Sequence, residues 1–327
     1  MSTMNLRHPI LQIIWSWLKQ GYQTSLYMFR FMIPITIIVK VLQETGLIDY
    51  VGMALAPMME LMGLPGEMGL VWASTMIANI YGGIIAFFSI VASAPLNIAQ
   101  ITTLTLVMLI AHTFPIELMV AKKAGVKFVF IFLWRFVFAF VAGILLHQIY
   151  QLTGTLQDAP TAIQLFETPE NQTYGQWALH EAKNYGFIAV WITALIIIID
   201  ILKRIKVIDF INRILSPLLK ILGIGNDAIP IIVVGMTLGL AYGGGLIINE
   251  VKQGRLSKKD VFYSLALLSL CHSLIEDSLL MISIGGHYTG VFIFRIIFMF
   301  IVMFGLVKLT SAWSETKMAK WFYTNID

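Results

Sequence analysis

Two histidines, three acids and two arginines interrupt otherwise apolar stretches of the sequence: His112, His272, Glu117, Glu276, Asp277, Arg135 and Arg295. Histidine exchanges protons near neutral pH, and a carboxylate removed from water can do the same. We therefore take His112, His272 and Glu276 as candidates for proton or ion coupling. The histidines could also be solute contacts, metal ligands or satisfied packing residues, and the sequence leaves these alternatives open.

The remaining acids and arginines suggest two structural ion pairs. Glu117 precedes Arg135 by 18 residues, and Asp277 precedes Arg295 by the same interval. An unpaired charge inside an apolar segment costs at least about 2.5 kcal/mol at mid-membrane depth. The repeated spacing therefore predicts that each acid pairs with its arginine and joins two neighbouring helices.

Two apolar segments, residues 66–95 and 226–249, are interrupted by clusters of glycine. Consecutive glycines unwind a membrane helix and free backbone groups, which is tolerated where protein or a water-filled cavity covers them. Close helix packing is the alternative explanation, because small residues recur at intervals of four in both segments. Together with the two histidines, the predicted solute-binding residues are Asn79, Tyr81, Gly82, Gly83, Tyr242, Gly243, Gly244, Gly245 and Asn249.

The composition is that of a membrane protein. Of the 327 residues, 58% are hydrophobic and only 12% are charged, and the mean hydropathy is +0.82. Soluble domains carry about 25% charged residues, and apolar runs near the length that crosses a bilayer recur along this chain. The net charge of +4 is too small and dispersed for a nucleic-acid surface. No motif supplies a nucleophile, a base and an orienting group, so we predict neither an enzyme nor a cofactor.

An internal repeat organises the chain. His112 and His272 are 160 residues apart, and the same interval separates Pro57 from Pro217 and Arg135 from Arg295. Around the glycines the best alignment of the letters slips to an interval of 161, which pairs residues 81–83 with residues 242–244. We interpret the chain as a duplication.

The repeat predicts five regions. Residues 1–21 form an interfacial amphipathic helix, residues 22–150 the first repeat, residues 151–184 a polar connecting loop, residues 185–311 the second repeat, and residues 312–327 a tail. Each repeat contains an apolar helix, an amphipathic stretch, the glycine-broken segment and two further apolar helices.

The membrane topology depends on whether each broken segment crosses the membrane or enters and returns. If it returns, each repeat has three transmembrane helices and one re-entrant hairpin, and the second repeat is inverted. Only this arrangement keeps the lysine clusters at residues 122–127 and 252–259 together on the cytoplasmic side. We therefore predict inverted repeats in a bacterial-type cytoplasmic membrane, with both termini cytoplasmic and the loop 151–184 outside.

The order of these segments resembles a known membrane domain. An amphipathic stretch ends in a proline and a glycine, a glycine-broken segment follows, and a helix then carries Ala111-His112-Thr113 or Cys271-His272-Ser273. This pattern resembles the nucleoside-recognition or "Gate" domain of spore maturation membrane proteins and of the ferrous-iron transporter's membrane core, and more distantly concentrative nucleoside transporters. The resemblance implies a transporter whose two hairpins meet near the middle of the membrane.

From these features we predict a secondary transporter that moves a small polar or anionic organic solute by alternating access, with proton or sodium coupling as an option. One alternative is a metal-ion permease that uses His112, Cys271, His272 and nearby Met residues; the other is a non-transporting scaffold or assembly partner. The expected partners are the solute or ion and membrane lipid, and a homo-oligomer is left open.

Overall fold

The computed structural model describes residues 9–91, 94–160 and 173–324, and the regular structure in these ranges is helical. Apart from helices, they contain a single isolated bridge between Val126 and Tyr323. Residues 1–8 of the predicted interfacial helix and residues 161–172 of the predicted loop lie outside the described ranges. The all-helical fold predicted from the sequence is confirmed.

The two halves of the chain contain the same succession of helices. In the first half these are α1 Pro9–Glu44, α2 Leu47–Glu60, α3 Met68–Ile77, α4 Ile80–Ile90, α5 Ile98–Ile110, α6 Phe114–Lys123 and α7 Phe128–Thr153. In the second half they are α8 Tyr174–Arg204, α9 Val207–Ile221, α10 Ile229–Leu238, α11 Leu240–Lys252, α12 Lys258–Leu270, α13 Glu276–Ser283 and α14 Arg295–Thr310. A π-helical turn, Thr289–Phe294, leads into α14, and α15 Glu315–Phe322 follows it.

Within the described residues, five helical segments are long and apolar enough to cross a membrane: Leu11–Glu44, Ile98–Lys123, Phe128–Thr153, Tyr174–Leu202 and Thr289–Thr310. The second of them consists of α5 and α6 with the break between them. Many of the large apolar side chains of the five segments are exposed, as lipid-facing residues are. The sixth predicted span corresponds to α12 and α13, which residues 271–275 separate into helices of 13 and 8 residues. Neither piece alone spans a bilayer.

Helix α1 does not end at the boundary predicted at residue 21. It continues from Pro9 to Glu44 as one helix of 36 residues, which at 1.5 Å per residue is about 54 Å long and exceeds the hydrocarbon core of about 30 Å. Gly21 lies in this helix against Thr193 of α8. Residues 9–21 therefore do not form a separate short helix. They continue into the rest of α1, which packs against α8 at Gly21.

The predicted loop over residues 151–184 is also shorter than expected. Helix α7 continues to Thr153, and α8 already begins at Tyr174. The hydrogen bonds of this region show what fixes its first part: the carbonyl oxygens of Leu156 and Asp158 accept from the backbone amides that open α5. Residues 156–158 therefore lie at the same end of the molecule as the start of α5.

Corresponding helices of the two halves run antiparallel where they touch. Trp17 Nε1 donates to Asp200 Oδ2 at 2.9 Å, while the Thr36 and Tyr185 hydroxyls are 2.6 Å apart, so the residue number rises along α1 as it falls along α8. Helix α7 and the π-helical turn with α14 show the same course, with Tyr150 bonded to Thr289 and Phe138 against Phe298. Inverted repeats require this relation; their orientation in a membrane stays a prediction.

The glycine-broken segments fold back on themselves. Gly83 of α4 packs against Thr75 of α3, and a Cβ atom on Gly243 of α11 would lie 2.5 Å from Gly235 Cα of α10. The two contacts are equivalent, because Gly243 lies 160 residues after Gly83 and Gly235 lies 160 residues after Thr75. The interval of 161 predicted at the glycines is thus wrong. Gly83 corresponds to Gly243, because the two residues make the equivalent contact in their hairpins, although their sequence neighbours match better at an interval of 161.

Helices α5 and α12 form the centre of the core. Nearly every residue of α5 from Ala99 to Ile110 and of α12 from Val261 to Leu270 is buried. Burial on all faces requires apolar residues around the whole helix, and the threonine hydroxyls of α5 bond within their own helix, as Thr105 does to the Ile101 carbonyl. In α12 the Tyr263 hydroxyl instead bonds to Thr310 of α14. These two helices lead directly into the two histidines.

The predicted tail is folded onto the end of the molecule that carries the lysine clusters. Phe322 of α15 stacks on Phe262, with ring centroids 4.4 Å apart. The Lys127 amide donates to the Phe322 carbonyl at 2.8 Å, and the Thr324 amide donates to the Gly125 carbonyl at 3.0 Å. A surface cavity here is lined by residues from three separate regions: Ala124, Gly125, Lys258, Val261, Tyr323 and Thr324 are among them.

Candidate functional site

Four interrupted helices open on one cavity of about 350 Å³. Each half contributes two interruptions, one inside its hairpin and one after its histidine. The cavity is lined at the hairpin breaks by Asn79 and Gly239 and at the histidine breaks by Thr113 and Ser273. An interrupted helix exposes backbone polar groups, so this is the place in an apolar molecule where polar solutes can be bound.

The two hairpin breaks are built in different ways at corresponding positions. In the first half Asn79 caps α4, and its side-chain oxygen accepts a hydrogen bond from the Gly82 amide at 2.9 Å. In the second half Gly239 takes φ +93° and ψ 165°, a region that is essentially restricted to glycine. A Cβ atom there would lie 2.6 Å from Ser273 Oγ.

The two histidine breaks are built alike. Thr113 and Ser273 both adopt left-handed backbone conformations, with φ 51° and 46°, which are uncommon for residues other than glycine. The Thr113 amide donates to the Thr75 carbonyl at 3.0 Å, and the Ser273 amide donates to the Gly235 carbonyl at 3.4 Å. Each histidine break is therefore tied to the hairpin of its own half.

Pro115 does not interrupt a helix. The chain leaves α5 at Ala111, and Pro115 lies in the first turn of α6, where its missing amide has no intrahelical partner to lose.

The two histidines meet at the centre. Their Nε2 atoms are 3.0 Å apart, and both side chains are almost fully buried. His112 Nδ1 lies 3.1 Å from the Met108 carbonyl oxygen, and His272 Nδ1 lies 2.7 Å from the Leu268 carbonyl oxygen. Because a carbonyl oxygen only accepts, each Nδ1 carries a proton.

Glu117 completes this cluster. Its Oε1 atom lies 3.3 Å from Nε2 of His112 and 3.3 Å from Nε2 of His272. Its other oxygen pairs with Arg135, which is fully buried and whose Nε also donates to the Ile110 carbonyl at 2.8 Å. The structure thus contains the ion pair that the sequence predicts between Glu117 and Arg135.

The second predicted ion pair is not formed. Arg295 donates instead to three carbonyl oxygens, those of Leu270, His272 and Leu109, at 3.0 to 3.2 Å. The carbonyls at the interrupted end of α12 have lost their helical partners, so they take up this guanidinium. Asp277 faces the cavity, with Oδ2 3.9 Å from His112 Nε2.

The structure brings some of the predicted solute-binding residues together and leaves others apart. Asn79, Tyr81, His112 and His272 line the central cavity, and so does the predicted coupling residue Glu276.

The remaining predicted positions lie in the hairpins. Gly82 donates its amide to the Asn79 cap, while Gly83 and Gly243 serve close helix packing. Gly244 packs against Val120, and Gly245 faces open space. Asn249 is exposed and accepts a bond from Gln253, and the Tyr242 side chain lies outside what the structure describes. The glycines alone therefore mark the hairpins better than they mark the site.

Thr113 and Ser273 were missed from the sequence, although a signal for them exists. A small hydroxyl residue follows each histidine at the repeat interval. The metal-permease alternative also named Cys271, which is buried and lies outside both the cavity lining and the cluster of metal-binding side chains.

Comparison with known proteins agrees with the membrane architecture. The chain is 26% identical over 310 residues to the uncharacterized membrane protein YvoD of Bacillus subtilis (strain 168), and the match covers 93% of this chain and 96% of that protein. The present chain is a membrane protein. No family model matches the chain, and no solved structure matches it. The relative supplies a membrane location and no activity, so the resemblance to the Gate domain stays a prediction.

Proposed function

We propose that this protein is a secondary transporter whose solute site is the central cavity between the two halves. The observation that carries the proposal is the convergence of four helix interruptions, two from each half, on one cavity that also holds ionisable side chains. Interrupted helices at the interface of inverted repeats are how secondary transporters build their sites. The antiparallel course of α1 and α8 supports this arrangement.

The charges around the cavity favour a cation. Three carboxylates line it, those of Glu117, Glu276 and Asp277. Arg135 and Arg295 are buried behind it and direct their guanidinium groups at Glu117 and at main-chain carbonyls. A site with this lining suits a small cation or a cationic organic solute better than the anionic solute predicted from the sequence.

The same contacts support alternating access. Each histidine break is hydrogen-bonded to its own hairpin, while the two histidines contact each other across the interface. A rocking motion of one half against the other would change the interface contact and keep the contacts within each half. The cavity would then open first to one side of the membrane and then to the other.

The test is a transport measurement on the purified protein in liposomes. We expect solid-supported-membrane currents after jumps in at least one of four probes, namely protons, Na⁺, Zn²⁺ and guanidinium. Replacing Glu276 and Asp277 together by Gln and Asn should reduce these currents at least about tenfold, because a buried cation site would lose charge-assisted contacts worth 1.4 kcal/mol or more.

The matched control is Glu250→Gln, which removes an acid whose partner is Arg255, away from the cavity. It should leave the currents unchanged. If the correctly folded wild-type protein gives no current with any probe, or if the Glu276→Gln, Asp277→Asn variant behaves like the control, the transporter proposal fails. The scaffold alternative predicts the first of these two outcomes.

A metal-ion permease is the second candidate. The specific observation in its favour is the cluster of His112, His272 and Glu117, whose ligand atoms converge within the described part of the chain.

A further inference from the structure

With both histidines neutral, the centre of the cavity gathers three electron-pair acceptors. Both histidines use their Nδ1 proton on a backbone carbonyl, so in the neutral state each Nε2 is an acceptor. The two Nε2 atoms nevertheless lie 3.0 Å apart, and Glu117 Oε1 lies 3.3 Å from both. Three lone pairs at these distances repel one another, so the arrangement calls for a cation at their centre.

The distances match those of a metal ion with tetrahedral ligands. In a tetrahedral site with bonds of about 2.05 Å, ligand atoms are about 3.3 Å apart. The three edges of the observed triangle are 3.0, 3.3 and 3.3 Å. A point about 2 Å from all three atoms therefore exists slightly above their plane, without any movement of the side chains.

The groups around the triangle are those that support metal ligands. A histidine that binds a metal usually donates its other ring N–H to a carbonyl or carboxylate, and both histidines do so here. Arg135 holds the second oxygen of Glu117, which leaves Oε1 directed at the histidines. Asp277 Oδ2 lies 3.9 Å from His112 Nε2 but outside the cluster whose ligand atoms converge, so it faces the open side of the triangle from the cavity without reaching it.

We propose that His112, His272 and Glu117 bind one divalent first-row transition-metal ion, with a water molecule from the cavity as the fourth ligand. Nitrogen and carboxylate ligands in tetrahedral geometry suit Zn²⁺ and its probe Co²⁺. The further step, that this ion is the cation carried, rests on the proposed transport function; the binding itself does not.

The test is metal binding by the full-length purified protein. We expect Co²⁺ to give the visible absorption bands of a four-coordinate ion, at one ion per chain, and Zn²⁺ to displace it. Loss of a supporting group outside the ligand shell typically weakens metal binding by 10- to 100-fold. Loss of a ligand in His112→Gln or His272→Gln should therefore weaken Zn²⁺ binding by more than about 100-fold.

Two variants keep the test independent of misfolding. His272→Gln leaves the Glu117 and Arg135 pair intact, so its thermal unfolding should stay close to that of the wild type. His147→Gln removes a half-buried histidine of α7 that lies outside the cluster, and it should bind Zn²⁺ as the wild type does.

The outcomes separate the two proposals. If the wild-type protein binds neither Co²⁺ nor Zn²⁺, or if the two histidine variants bind like His147→Gln, the metal proposal is overturned. Proton-driven currents without metal binding would mean that the histidines share a proton; the transporter would stand and the metal site would not. Metal binding that the histidine variants lose, without currents of any probe, would leave the metal site standing and remove the transporter.

Discussion

Arg135 and Arg295 occupy corresponding positions and perform the same backbone task. Each donates its Nε to the carbonyl at the end of the central helix of its half, Ile110 for Arg135 and Leu270 for Arg295. Carbonyl groups at a helix C-terminus carry partial negative charge and lack intrahelical partners. The arginines therefore stabilise the interruptions that form the cavity, and only Arg135 also binds an acid.

Removing Arg135 should be costly. Arg135→Gln leaves Glu117 as a buried charge without its counter-ion, and breaking a buried pair in this way typically costs about 3 to 5 kcal/mol. We expect a clear drop in the unfolding temperature in detergent, followed by tryptophan fluorescence. Arg255→Gln breaks a solvent-exposed pair with Glu250 and should leave the unfolding temperature almost unchanged. Equal unfolding temperatures for the two variants would contradict this view of the site.

Residue types were predictable at this scale, and their partners were predictable only in part. The repeat interval singled out His112 and His272, which the structure joins, and Glu117 with Arg135, which it pairs. The repeat interval could not predict that Arg295 donates to main-chain carbonyl groups instead of pairing with Asp277. Which carbonyls a helix break leaves without partners depends on the tertiary structure.

Among the helices, the hairpin break of the second half depends on one residue. Gly239 adopts a backbone conformation that other residues reach only at a cost of about 1 to 3 kcal/mol. Gly239→Ala should lower stability by about this amount and should also reduce transport, since the new methyl group would press on Ser273.

Gly245 provides the matched control for this substitution. It lies inside α11 and faces open space, so Gly245→Ala should be neutral or stabilising by up to about 1 kcal/mol. Both variants can be compared by thermal unfolding and by liposome currents. The special role of Gly239 is contradicted if the two alanine variants have the same unfolding temperature.

Helix α15 is a folded part of the molecule. Phe322 is buried against Phe262 and Phe130, whereas its neighbour Trp321 is exposed. Phe322→Ala should cost about 3 kcal/mol, as truncation of a buried aromatic ring does. Trp321→Ala should cost much less. Unfolding temperatures in detergent test this difference, and similar values for both would mean that the tail is not docked in solution.

Across the whole molecule, the sequence predicted the order of the segments better than their limits. Apolar runs and the repeat gave the helix succession, since burial in lipid or protein requires such runs. They did not show that α1 continues through residue 21 or that α8 begins at Tyr174, because contacts between α1 and α8 hold these stretches in helical form. Length and hydropathy cannot reveal such contacts.

The structure also places the two lysine clusters for a topology test. Gly125 and Lys258 line the same surface cavity, whereas Asp158 is bonded to the start of α5, and both α5 and α6 lie along the chain between that point and Gly125. We expect cysteines at Lys123 and Lys258 to be protected from a membrane-impermeant thiol reagent in intact cells and a cysteine at Thr155 to be labelled. Cys271→Ala supplies the background, and permeabilised cells should label all three positions. Labelling of only one of the two lysine positions in intact cells would exclude the inverted arrangement.

The cluster at the centre is built from positions that the repeat makes equivalent. His112 corresponds to His272, and Glu117 corresponds to Asp277, so each half supplies one imidazole and one carboxylate around the contact between the histidines. In evolutionary terms, a protein with a single repeat could have built such a site as a dimer, because each copy would need to supply only one imidazole and one carboxylate. A duplication of this kind would free the two copies to diverge, and the copies differ here: Glu117 pairs with its arginine, whereas Arg295 donates to main-chain carbonyls and not to Asp277.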